Sequence, residues 1–137
     1  MKKWLNAILF VSLSTTALFA SEKSKEKIYL TCAITSTYDA QKDKVLPTTG
    51  SHGLIVEHES GGSVRVISDK LEVPYVGTMT QVRISASATI TLGNSPLQTE
   101  EWIEVSRLTG EYKNGFSFDG KPGLIHFGQC KRVMPKF

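Results

Sequence analysis

EWIEVSRLTGEYKNGFSFDGKPGLIHFGQC, residues 101–130, is the stretch whose reading decides the fold. It holds three short strand-like runs parted by turn signals and ends on the second of two cysteines. Trp102 to Arg107 reads as a strand with Ile103 and Val105 on its inner face. Leu108 to Gly110 is a turn in which Gly110 supplies a positive φ. Tyr112, Asn114, Phe116 and Phe118 share one face of the next strand. The run DGKPG, Asp119 to Gly123, is a turn signal, and Leu124 to Val133 is the closing strand. The first cysteine, Cys32, sits in the opening run IYLTCAIT. A bond between Cys32 and Cys130 makes the first and last strands neighbours and draws the sheet between them towards closure.

Working outward, Thr78 to Leu92 carries the cleanest alternation. Thr80, Val82, Ile84, Ala86, Ala88, Ile90 and Leu92 interleave with polar residues, the period of a half-buried antiparallel strand. It is long for one strand, so a bend or hairpin is expected at Ala86 and Ala88, where small side chains permit close approach. Leu71, Val73 and Tyr75 alternate before it, with Pro74 marking an edge or an end. Leu54 to Glu59 and Val64 to Asp69 form a hairpin about the SGGS loop. Lys27 to Thr35 opens the domain, with Ile28, Leu30, Cys32 and Ile34 on one face. Ser36 to Gly53 reads as a long polar connection, mobile or functional. The pattern predicts an all-β domain over 28–137. It is a small antiparallel β-barrel of seven to eight strands, favoured over a sandwich because the cysteine pair unites the terminal strands.

The first twenty residues read as an export signal: Lys2 and Lys3, an apolar core from Leu5, and Ala20 or Ala17 as the residue before cleavage. The core is too short and too rich in Ser and Thr for a spanning helix, which needs about 20 apolar residues. Residues 21–27, SEKSKEK, then form a charged, flexible lead-in. Removing 20 of 137 residues leaves 117, enough for one domain. The leader holds two of the 16 basic residues and no acidic one, so 14 bases face 13 acids thereafter. That balance lacks the strong positive footprint of a nucleic-acid binder. Two cysteines in an exported chain are most simply one disulfide. The expected location is the periplasm or the medium of a bacterium.

Tyr29-x-x-Cys32 near the mature start, with a cysteine near the end, resembles the periplasmic inhibitors of C-type lysozyme, which are eight-stranded barrels. Ser106 to Tyr112, SRLTGEY, is similar to the Arg-x-Thr-Gly-x-aromatic turn of many small exported bacterial proteins. The inhibitors couple a Ser-Gly turn to a later Lys-Gly. Thr109-Gly110 and Lys121 fall near those places here, with Pro122 replacing the second glycine. The resemblance covers about a third of the mature chain, at its two ends, and implies a barrel that binds a cell-wall hydrolase.

No residue pattern specifies a reaction. His52 and His58 flank Leu54 to Val56 about 20 Å apart, too far to share a metal, and read as solvated strand ends. His126 shares a face with Leu124 and Cys130. If that face is internal, the imidazole is buried and needs a partner; if external, Ile125 and Phe127 form the core. No serine or cysteine nucleophile is paired with it. Glu100, Glu101, Glu104 and Glu111 read as solvated rather than as paired glycosidase carboxylates. Trp102 either points outward as a contact anchor or is turned inward by a bulge. Arg107 is expected to hold the 108–110 loop through its carbonyls.

These readings give an exported binding protein without catalytic residues, metal or cofactor. Its partner is a protein such as a cell-wall hydrolase, met by the 36–53 loop and the turns at 108–110 and 119–123. Trp102, Thr109, Gly110 and Lys121 are the candidate contacts. The alternative is a lipocalin-like carrier of a small apolar ligand, for which Ala86 and Ala88 would leave room unless Tyr112, Phe116 and Phe118 fill the barrel.

Overall fold

The computed structural model describes residues 25–135 except Leu92 and Ser95. The leader and the first part of the lead-in, to Ser24, lie outside the described residues. Eight strands follow in order: β1 Lys27–Asp39, β2 Lys44–His58, β3 Ser63–Ser68, β4 Leu71–Met79, β5 Arg83–Thr91, β6 Gln98–Ser106, β7 Glu111–Phe118 and β8 Lys121–Val133. Each pairs antiparallel with the next, and β8 returns to pair with β1, closing the barrel. Cys32 and Cys130 are direct register partners across that seam and form a disulfide spanning 98 residues.

Alternation explains the core. Even-numbered residues of β2, β3 and β5 and odd-numbered residues of β6 point inward, putting Leu54, Val56, Val64, Val66, Ile84, Ile103 and Val105 in one buried cluster. Tyr75 and Tyr112 cross it, each almost fully buried. Ala86 and Ala88 belong to the same cluster, their small side chains packed among its larger members. Tyr112 fills the interior as expected. Phe116 is only half-buried, and Phe118 is 45 % exposed; the two rings meet edge-on at the barrel's rim.

Three expectations about the elements are corrected. The segment 36–53 is not a loop: β1 continues to Asp39 and β2 begins at Lys44, leaving a four-residue connection. These strand halves project beyond β3, which pairs with β2 only over Leu54–His58. The β2 half, Lys44–Ser51, is exposed on nearly all of both faces, and the β1 half buries the polar Thr37, so neither carries an apolar alternation to read. The alternating run 78–92 is two strands, and its turn falls at Thr80–Val82 rather than at Ala86 and Ala88. Thr80 makes that turn by accepting from the Val82 and Arg83 amides through its hydroxyl. The lead-in is tied down at its end: Lys25 pairs with Glu59 at 3.0 Å, and the Glu26 carbonyl accepts from the His58 amide.

The glycine turns match their reading. Asp119 and Gly120, both at positive φ, form the two-residue hairpin between β7 and β8. Gly110 has φ 77°, and a Cβ there would lie 2.6 Å from the Cys130 carbonyl oxygen. A register shift in β1 between Ile34 and Ser36 switches the inward parity, so Thr37 joins Cys32 on the inner face.

Candidate functional site

The barrel has two unlike ends. The lower end holds the start of β1, the end of β8 and the turns at 59–62, 80–82 and 107–110. The upper end holds the connections from β1 to β2, β3 to β4, β5 to β6 and β7 to β8. The predicted contacts therefore do not form one surface. Thr109 and Gly110 lie at the lower end and Lys121 at the upper, separated by the length of β7, roughly 25 Å at the usual rise per residue.

Trp102 lies between them on the outer wall. Its register partners are Ser87 and Gly115, which places it outward, with no bulge in β6. The indole sits over Gly115: a Cβ on that residue would come within 2.4 Å of Trp102 Cζ2. Beside the ring is a groove of about 240 Å³ between β4, β5 and β6, lined by Val76, Thr78, Ser85, Ser87 and Glu104. Val76 is 65 % exposed. Glu104 forms a long contact with Arg83, 3.9 Å, at the groove's lower side.

The inner face towards the upper end is polar, which the sequence reading missed. Glu101 is opposite Ala88 and Phe116 in register and points inward, not to solvent. Its carboxylate accepts from Asn114 Nδ2 at 3.2 Å and from the Tyr75 hydroxyl. Asn114 Nδ2 also donates to the Trp102 carbonyl at 3.0 Å, so the outward indole and the inner network share a backbone unit. Burial, and next the Glu101 charge, hold both the Tyr75 and Tyr112 hydroxyls far above the ordinary tyrosine range, so they remain protonated donors.

His52 is likewise not a solvated strand end. It is half-buried, with Nδ1 2.7 Å from the Tyr112 hydroxyl and its ring edge-on to the tyrosine. Burial lowers its pKa; Asp69 opposes the shift, and His126 and Lys70 add to it. His126 is on the internal face, with Nδ1 2.7 Å from Thr37 Oγ1. Thr37 is 6 % exposed and His126 half-buried, so this hydroxyl–imidazole contact is a partly buried crosslink between β1 and β8. The signal for Glu101 was present: Ile103 and Val105 set the odd parity as inward, and only its charge argued otherwise.

Arg107 holds a different turn from the one expected. Its Nη1 donates to the Thr80 carbonyl at 2.6 Å, and its amide donates to the Val82 carbonyl. The 108–110 turn is held instead by Ser106 and by the Gln129 side chain on the Thr109 carbonyl. Among the described residues, no group of three His, Cys, Asp or Glu side chains converges to hold a metal ion. The fold and its covalent closure define a small disulfide-closed antiparallel β-barrel. No family model, curated protein or solved structure matches the chain.

Proposed function

We propose that this is an exported, non-catalytic binding protein whose partner is another protein, with Trp102 at the centre of the contact. The observation that carries the reading is the outward indole fixed over Gly115 beside a groove. Tryptophan is enriched among residues that dominate interface energies, and a side chain already held in place loses little freedom on binding. The filled centre of the barrel supports recognition on the outside over an enclosed cargo. The inner polar groups are engaged with one another, His52 with Tyr112 and Glu101 with Tyr75 and Asn114, which supports a structural role for them. A buried disulfide fits an oxidising compartment such as the periplasm or the medium.

Cell-wall hydrolases are the first partners to test, because the resemblance at the two chain ends points to inhibitors of C-type lysozyme. Lysis assays with such hydrolases should show inhibition by the wild type and a loss of about 30-fold or more with Trp102→Ala, the scale of an interface hot spot. Failure to inhibit any hydrolase would remove the inhibitor reading. A folded Trp102→Ala variant as potent as wild type would remove the surface.

A further inference from the structure

We infer that the lower mouth of the barrel binds a medium-chain fatty carboxylate, its alkyl chain in a cavity beneath the 107–110 turn and its head between Arg107 and Arg132. The cavity measures about 370 Å³. Its floor is the lower face of the core: Ile84 and Val105, almost fully buried, and Ile28 and Leu30, half-buried. Leu108, 75 % exposed, hangs at the opening.

The rim supplies the sign of the ligand. Arg107 and Arg132 both line the cavity, and no aspartate or glutamate does. Among the described residues, neither guanidinium has a carboxylate at ion-pair distance. Arg107 is positioned by its bond to the Thr80 carbonyl, which uses donors but leaves the charge uncompensated. A guanidinium presents a planar fork of donors that matches a carboxylate. An apolar floor under two uncompensated arginines is complementary to a chain with one anionic head. The volume is near the low end of the small-molecule range, about 300–1,000 Å³, which selects a medium chain over a long one. The turn is already fixed by the Gly110 amide on the Ser106 carbonyl and by the Thr109 amide on Ser106 Oγ, so little ordering accompanies binding.

Titration of the purified protein with sodium decanoate, followed by calorimetry and by amide chemical shifts, tests the inference. Decanol and decyltrimethylammonium are the controls for head charge. Decanoate should bind saturably at one site, at least about tenfold tighter than either control, with shifts concentrated at 106–110 and 130–132. Arg132→Gln, an exposed change that leaves the turn bonds intact, should weaken decanoate about three- to tenfold and leave decanol unchanged. Non-saturable binding, equal binding of the three amphiphiles, indifference to Arg132→Gln, or shifts confined to the Phe116–Phe118 rim would each overturn it. Hydrolase inhibition and its dependence on Trp102 are separate readouts, so either proposal can fail alone.

Discussion

His52 Nδ1 lies 2.7 Å from the Tyr112 hydroxyl, a bond that ties β2 to β7 through the barrel's interior. Burial is the main reason the imidazole's pKa falls below 6.5, so the fold favours the neutral ring. As pH drops, the unfolded chain takes up this proton first. The stability contributed by His52 should therefore be complete above its unfolded value of 6.5, decline below it, and be lost once pH has passed the folded value. Urea midpoints measured from about pH 8 to pH 5 should show the decline, and His52→Gln should flatten it. A slope that survives the substitution would assign the effect to other groups.

The disulfide should contribute through the unfolded chain. Cys32 and Cys130 already face one another in a hydrogen-bonded strand pair, and the bond closes a loop over a separation of 98 residues. Replacing both by serine should cost about 2–4 kcal/mol in denaturant unfolding. Reduction should cost a similar amount in the wild type and nothing in the double variant.

Gly115→Ala tests whether the indole is held where the proposed contact requires it. The new Cβ would lie 2.4 Å from Trp102 Cζ2. The ring is on the outer wall, so the added methyl would displace it into solvent rather than into the core, and the fluorescence should shift to the red with only modest destabilisation, about 1–3 kcal/mol at most. The other tryptophan is Trp4, so the emission of protein produced from Ser21 onward reports Trp102 alone. Unchanged emission would mean that Gly115 does not position the ring. Partner binding should weaken in step with the spectral change.

The sequence revealed most where one face of a strand was buried. Ile103 with Val105, Ile84 with Ala86, and Val64 with Val66 each alternate against polar neighbours, and their strands fall where that period places them. It was silent where a strand has water on both sides, as in Lys44–Gly50, whose Thr, Gly and Pro residues resemble a loop. It was misleading at Thr80–Val82, because a hairpin turn that keeps the period disguises two strands as one. The polar inner face was hidden for another reason. Glu101 and His52 obey the alternation, but charge and solvent are ordinarily associated, and only the combination of Tyr75, Asn114 and Tyr112 around them makes burial tolerable. Those partners come from β4 and β7, so the cluster depends on closure of the barrel and has no local signature.

Thr99 should be the easiest place to make the protein more stable. It lies on the inner face of β6, opposite Ile90 and Phe118, and is 8 % exposed. Its hydroxyl is buried without a hydrogen-bond partner among the described residues. An unpaired buried hydroxyl costs about 1–3 kcal/mol of desolvation. Valine has the same branched shape and strand preference without the hydroxyl. Thr99→Val should therefore stabilise by about 1 kcal/mol or more, raising Tm by roughly 4–8 °C in a domain of this size. Thr99→Ser keeps the unpaired oxygen, loses a buried methyl and should destabilise. Thermal unfolding of the three proteins separates the effects. A Thr99→Val variant less stable than wild type would mean that the hydroxyl has a partner, and the interior of β6 would then be hydrated at that point.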